Sequence, residues 1–238
     1  MSTSLSAARE ALDRVMDPEL DRSLVALDFV ESLDVEGGEV CVAIRLPTYW
    51  CSPNFAYLMA GDAHAALRAL PGAERVRVEL VDHFAGERIT EAIAAGLSFQ
   101  EAFPSQADGE LGELRRRFRL KAFVVRQEPP LRAARRALGD EGAVALRLGD
   151  GASPSFADRS DWAEYLARRR HLGMDGGPEA LAFTDAQGEP LAAEGLDDYL
   201  RLARSVRISL ESNTEFCTGL LAARYGDHEE WQRKEVPA

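Results

Sequence analysis

The stretch Val40-Cys41-Val42-Ala43-Ile44-Arg45-Leu46-Pro47-Thr48-Tyr49-Trp50-Cys51-Ser52-Pro53 decides the reading of the first third of the chain. Its first half alternates. Val40, Val42, Ile44 and Leu46 fall on one face of a strand, and Cys41, Ala43 and Arg45 on the other. Its second half changes character. Ser52 followed by Pro53 is an N-cap with proline at the first helical position, so a helix is expected from Pro53 to about Leu70, stopped by Pro71-Gly72. Upstream, Phe29–Val35 is a second strand, and Gly37-Gly38 between the two strands is a hairpin turn. Leu5, Ala8, Leu12 and Val15 give an N-terminal amphipathic helix expected to end at Asp17-Pro18. Val76, Val78 and Leu80 alternate in a third strand. The order helix, strand, strand, helix, strand predicts a small two-layer α-β-β-α-β domain, of α+β class.

Cys51 stands one residue before the expected N-cap. Free N–H groups and the positive end of a helix favour a thiolate there, the form that attacks electrophiles and binds soft metals. The competing reading is a small, inert cysteine in a tight loop.

Composition narrows the partners. The chain has 238 residues, 28 basic and 40 acidic, for a formal net charge of −12. That balance argues against nucleic acid and against an anionic membrane surface. No apolar run reaches membrane-spanning length, and Met1–Val15 does not have the pattern of a signal peptide. Three cysteines without paired spacing, Cys41, Cys51 and Cys217, point to a reducing, cytoplasmic setting. Standard catalytic signatures such as Cys-x-x-Cys, His-Glu-x-x-His, Gly-x-Ser-x-Gly and Walker loops do not occur.

Asp17-Pro18-Glu19-Leu20, then Leu27-Asp28-Phe29-Val30, then Thr48-x-x-Cys51-x-Pro53 after the alternating strand, then Leu70-Pro71-Gly72-Ala73-Glu74 before the third strand, resemble the MIP18-like family. This family, formerly domain of unknown function 59, includes iron–sulfur cluster assembly factors and an accessory protein of a multicomponent oxygenase. The resemblance spans roughly residues 5–84. It implies a cluster-assembly or iron-delivery role rather than an enzyme. It marks Cys51 as ligand or transfer thiol, with Thr48, Asp17 and Glu19 as the matching motif residues. It implies an iron–sulfur cluster or iron as transient cargo, and a client metalloprotein as partner. Here the motif departs from the family pattern: Ser52 interrupts Cys-Pro, and bulky Tyr49 and Trp50 occupy the turn. These changes fit a specialised member, dedicated to an iron-dependent monooxygenase. One thiol falls short of the about four that iron–sulfur clusters take, so the protein must share a cluster across a homodimer, borrow exogenous thiols, or pass iron to a client. The alternative is a metal-free, protein-binding chaperone with a structural Cys51. A thiol-dependent enzyme is the third reading.

The rest of the chain is less legible. The expected division is residues 1–86 as the assembly domain, 87–109 as a helical connector and linker, and 110–238 as a mixed α/β extension. Between Arg115 and Arg136 lie nine basic residues and one acidic residue, Glu128, most simply a helix face paired with acidic groups of the same chain. Pro129-Pro130 are expected to break that helix. Ala143–Leu148 and Val206–Leu210 are strand candidates, and Leu181–Thr184 opens a hairpin. Glu211, Glu215 and Cys217 form a second candidate metal cluster, against a plain polar helix start. His83, just after the third strand, is the histidine placed to approach the Cys51 loop.

Overall fold

The computed structural model describes residues 3–105, 111–150, 155 and 157–226. The chain groups into two compact units, Met1–Leu111 with Ser212–Ala238, and Gly112–Glu211.

The first unit opens with helix α1 (Leu5–Leu12), capped by the Ser4 hydroxyl accepting from the Ala7 N–H. It ends earlier than Asp17-Pro18. Met16–Asp17 (β1) instead pairs with Arg22–Ser23 (β2) around a tight turn. The reason is local: Asp17 Oδ1 accepts from the Glu19 and Leu20 N–H groups, both at 2.8 Å, and an Asx turn of this kind competes with helix. Then come β3 (Val30–Glu36), β4 (Glu39–Arg45), α2 (Pro53–Arg68), β5 (Arg75–Val81), α3 (Gly86–Ala95) and α4 (Phe99–Ala102).

The sheet order is β3-β4-β5, antiparallel between β3 and β4 and parallel between β4 and β5. Gly37 and Gly38 both take positive φ, 53° and 83°, the backbone of a type I′ hairpin. The inward face of β4 is buried as its alternation predicts, and Val40, Val42, Ile44 and Leu46 share a core with Ala8, Leu12, Ala56, Met59, Ala63 and Leu67. Cys41 sits half-buried on the other face. The expected 87–109 connector belongs to this unit rather than lying outside it. Ile89, Ala92, Ile93, Phe99, Ala102 and Phe103 are buried in the same core. Gly86 fixes how closely α3 approaches, since a Cβ there would lie 2.3 Å from the Leu80 carbonyl oxygen. The expected linker Pro104–Gly109 lies outside the described residues from Gln106 on.

The second unit is helical. It holds α5 (Leu111–Ala145) from Gly112 on, α6 (Arg159–His171) and the start of α7 (Leu196–Tyr225). Three strand or break expectations are corrected. The helix runs on through Pro129-Pro130, where Gln127, Glu128, Pro130 and Leu131 are all buried. It breaks instead at Gly139, whose φ of 75° suits glycine. Ala143–Ala145 closes that helix, and Arg147 makes an isolated antiparallel bridge to Leu181 in place of the expected strand. Val206–Leu210 lies inside α7, since helix and strand propensity are weak preferences that the surrounding helical turns override. The expected continuous region 110–238 is also divided differently, since the chain from Ser212 on groups with the first unit.

Three arginines of the α5 basic run are paired with acidic groups of their own unit. Arg126 pairs with Glu164, Arg135 with Asp140 and Asp197, and the buried Glu128 accepts from both Arg132 and Arg207 at 2.8 Å. No helix among the described residues is long and apolar enough to cross a membrane.

Candidate functional site

The turn Thr48–Cys51 links the end of β4 to α2. Cys51 N–H reaches back to the Thr48 carbonyl at 3.4 Å, closing the turn. Ser52 and Pro53 start α2 as the sequence indicates, although the Ser52 hydroxyl makes no cap bond. Its carbonyl accepts from Phe55 and Ala56 instead. Cys51 is thus held half-buried, with Thr48 Oγ1 3.3 Å from its Sγ. At that distance the hydroxyl can donate to a thiolate sulfur.

His83 does approach this loop, but through the backbone. Its Nε2 donates to the Cys51 carbonyl at 2.7 Å, and its Nδ1 accepts from the Ala85 N–H at 3.2 Å. Both ring nitrogens are therefore engaged with backbone groups. Burial pushes its pKa down, in keeping with the neutral tautomer this geometry requires. His83 positions the thiol-bearing turn. The next residue, Phe84, donates its N–H to the Tyr49 carbonyl at 3.1 Å and packs beside Tyr49 and Trp50. The three rings form an exposed aromatic patch next to Cys51, with Trp50 74% exposed.

Asp17 is buried, with 6% exposure, and Glu19 is half-buried. Burial raises the Asp17 pKa to about 6, against the two N–H groups that pull it down. A carboxyl that the fold buries and then hydrogen-bonds is a turn former first, and one of its oxygens already serves that turn.

The second thiol enters from the far end of the chain. Cys217 lies on α7, and its stripe Thr214, Cys217, Thr218, Leu221, Arg224 and Tyr225 repeats at helical spacing. Thr214 and Leu221 are buried, and Cys217 is half-buried against the same core cluster as Cys51. Burial and the charges of Asp17, Cys51 and Glu19 push its thiol up to about 11. The helix is anchored beyond Cys217. Arg224 reaches the Leu46 carbonyl at 3.4 Å and Asp82 at 2.6 Å, and the Tyr225 hydroxyl donates to Asp82 at 2.9 Å. Asp82 itself holds φ at 49°, which aspartate tolerates. This Asp82–Arg224–Tyr225 clamp escapes the sequence reading, because its stripe is polar and carries no hydrophobic periodicity.

Glu211 and Glu215 do not join this arrangement. Glu211 is paired with Arg207 at 2.9 Å, and Glu215 is exposed on α7. Among the described residues no three His, Cys, Asp or Glu side chains form a grouping that could hold a metal ion.

Comparison with known proteins bears on the same stretch. Residues 5–80 match the iron-sulfur cluster assembly protein family. The matched residues carry Asp17, Glu19, Thr48 and Cys51 and stop short of His83, Asp82 and Cys217. The iron-sulfur cluster carrier protein of Synechocystis sp. (strain ATCC 27184 / PCC 6803 / Kazusa) is 35% identical over 74 residues, 31% of this chain and 20% of that relative. The match thus spans about a fifth of the length of the curated relative. The likeness is confined to the first unit, and α5 to α7 lie outside it.

Proposed function

We propose that the protein assembles or carries an iron–sulfur cargo, with Cys51 as the thiol that takes it. The observation that carries this reading is the built turn at Cys51. Its carbonyl is fixed by His83, its sulfur is faced by Thr48, and it falls within the family match. Thiolate sulfur is the soft donor that iron–sulfur clusters require. Half-burial suits transient carriage, because the thiol is neither sealed in the core nor fully open. The exposed Tyr49-Trp50-Phe84 patch supports a protein client docking beside the thiol, since aromatic residues of this kind are enriched in interfaces. In this reading the client is an iron-dependent oxygenase component, a homodimer completes the ligand set, and the protein works as an assembly factor in a reducing compartment. The same patch favours a second reading, a client-binding chaperone that holds no metal.

Anaerobic reconstitution with iron and sulfide separates the two. Wild type is expected to bind iron and develop visible absorption, and Cys51→Ser is expected to lose both while keeping its circular dichroism. A folded wild type that retains no iron would overturn the carrier reading and leave the chaperone.

A further inference from the structure

The second unit lies outside the family match and holds a cavity of about 350 Å³, which the carrier reading does not use. That volume falls at the lower end of small-molecule sites. Two polar residues that line it are deeply buried. Arg169, in the last turn of α6, and Thr184 are each 4% exposed. Each carries an atom with no hydrogen-bond partner among the described residues, Arg169 Nε and Thr184 Oγ1. Buried polar atoms are ordinarily satisfied, and two exceptions lining one cavity call for an explanation.

The Arg169 guanidinium is held in place without being neutralised. Its Nη1 donates to the Tyr165 hydroxyl at 3.0 Å and to the Ala182 carbonyl at 3.1 Å, and its Nη2 to the Asp175 carbonyl at 2.7 Å. All three acceptors are neutral. No carboxylate of the described residues forms an ion pair with it. Buried charges elsewhere in the chain are paired: Arg45 with Asp28, and Glu128 with Arg132 and Arg207. The carbonyl end of α6 favours a cation, but it leaves Nε without an acceptor.

Arg169 and Thr184 belong to one hydrogen-bonded chain. The Tyr165 hydroxyl that accepts from Arg169 lies 2.8 Å from Gln127 Oε1, which accepts from the Thr184 N–H at 3.2 Å. Gln127 Nε2 donates to the Thr184 carbonyl at 2.8 Å. The backbone of Thr184 is thus fixed on both sides, and its hydroxyl is left as a donor. Donors set in place beforehand bind an anion with little ordering cost.

The rest of the lining defines the ligand. Half-buried Leu120, Leu172, Met174 and Leu181 supply an apolar wall. Arg116, exposed on α5, adds a second positive charge. Asp175 adds one negative charge, also exposed, with its Oδ1 accepting from the Gly177 N–H. Two arginines against one aspartate suit a ligand with a single negative charge better than a multiply charged phosphate.

We propose that this cavity binds a small aliphatic carboxylate. Its anionic head meets the charge of Arg169 and the Thr184 hydroxyl, and its chain lies against the leucines and Met174. This goes beyond the carrier reading and is independent of whether Cys51 takes iron.

Hexanoate is the probe, titrated into the full chain in metal-free buffer and followed by backbone amide shifts in NMR. Saturable shifts are expected in wild type, concentrated in residues 116–120 and 169–188. Hexanamide, which has the same chain without the charge, is expected to bind about tenfold more weakly or worse, and inorganic phosphate likewise. Thr184→Val keeps the shape of the side chain and removes its unpartnered hydroxyl. Its melting temperature should hold or rise while hexanoate affinity falls about tenfold. Arg116→Gln should weaken binding about two- to threefold, and less so at high salt. Absence of saturable shifts in wild type, or full hexanoate affinity in Thr184→Val, would overturn the proposal. Hexanamide or phosphate binding as tightly as hexanoate would overturn the carboxylate as the ligand class.

Discussion

The two units solve the problem of a buried interior in different ways. The first is lined with aliphatic side chains delivered by strand alternation and helix periodicity, and its deeply buried arginine, Arg45, reaches out to Asp28 at 2.8 Å. The second buries a polar network. Gln127 Nε2 donates to the Thr184 carbonyl at 2.8 Å, and Gln127 Oε1 accepts from the Thr184 N–H at 3.2 Å. The Tyr165 hydroxyl lies 2.8 Å from Gln127 Oε1 and 2.5 Å from the Ala182 carbonyl, and Arg169 Nη1 donates to it at 3.0 Å. Aromatic rings, Phe123, Trp162, Tyr165 and Phe183, surround this network. An aliphatic core tolerates imprecision and is coded by local repeats. A polar network demands that every partner be present, because an orphaned buried group costs its full desolvation. The unit that carries Cys51 thus rests on the more forgiving kind of interior.

Substitutions in the two interiors test this difference. The largest effect is expected from Ile44→Ala, which empties a fully buried position between sheet and helices. It should cost about 3–4 kcal/mol in urea unfolding. Hydrogen exchange should place the loss in β3 to β5, with the amides around Gln127 unaffected. Next comes Tyr165→Phe, which keeps the ring but strips the hydroxyl from Gln127, Ala182 and Arg169. It should cost about 2–3 kcal/mol despite removing one atom. A cost as small as that of an exposed tyrosine would show that the network is not what holds the second unit.

The smallest effect has the opposite sign. Asp17 has a folded pKa of about 6, above its ordinary value of 3.8. The folded state therefore holds the proton more tightly than the unfolded one. The contribution to stability is fully present below pH 3.8 and is lost as pH rises through about 6. An asparagine side chain in place of Asp17 keeps an oxygen to accept from Glu19 and Leu20 but carries no charge. Asp17→Asn should gain about 1–2 kcal/mol at pH 7, less than the full shift would give at about 1.4 kcal/mol per unit. It should also flatten the pH dependence between about pH 4 and 7. A variant that is less stable at pH 7 would mean that the carboxylate itself, not its turn geometry, is what the fold needs.

Much of the first unit was legible. The alternation in Val40–Leu46, the Gly37-Gly38 turn and the Ser52-Pro53 helix start each act within a few residues, and each has its counterpart in the structure. The exception was Asp17, where a side chain bonding to its own backbone displaced the expected helix end. Cys51 could be singled out because it sits beside a local landmark, the N-terminus of α2. His83 could be placed near it, but not its role, since that depends on which atom of Cys51 it meets.

In the second unit the local signals misled. Val206–Leu210 has strand-forming residues and lies in a helix, and Pro129-Pro130 did not end α5. There, packing outweighs propensity, because the residues on both sides of the prolines are buried and cannot be released cheaply.

Local sequence is enough for the small α/β unit, its inward and outward faces and the turn that presents Cys51, because those depend on periods of two and of about 3.6 residues. Tertiary packing alone brings Cys217, 166 positions later, half-buried against the same core cluster as Cys51. That placement rests on Arg224 and Tyr225 meeting Asp82 and Leu46 across more than half the chain, and no local periodicity records a contact between residues so far apart.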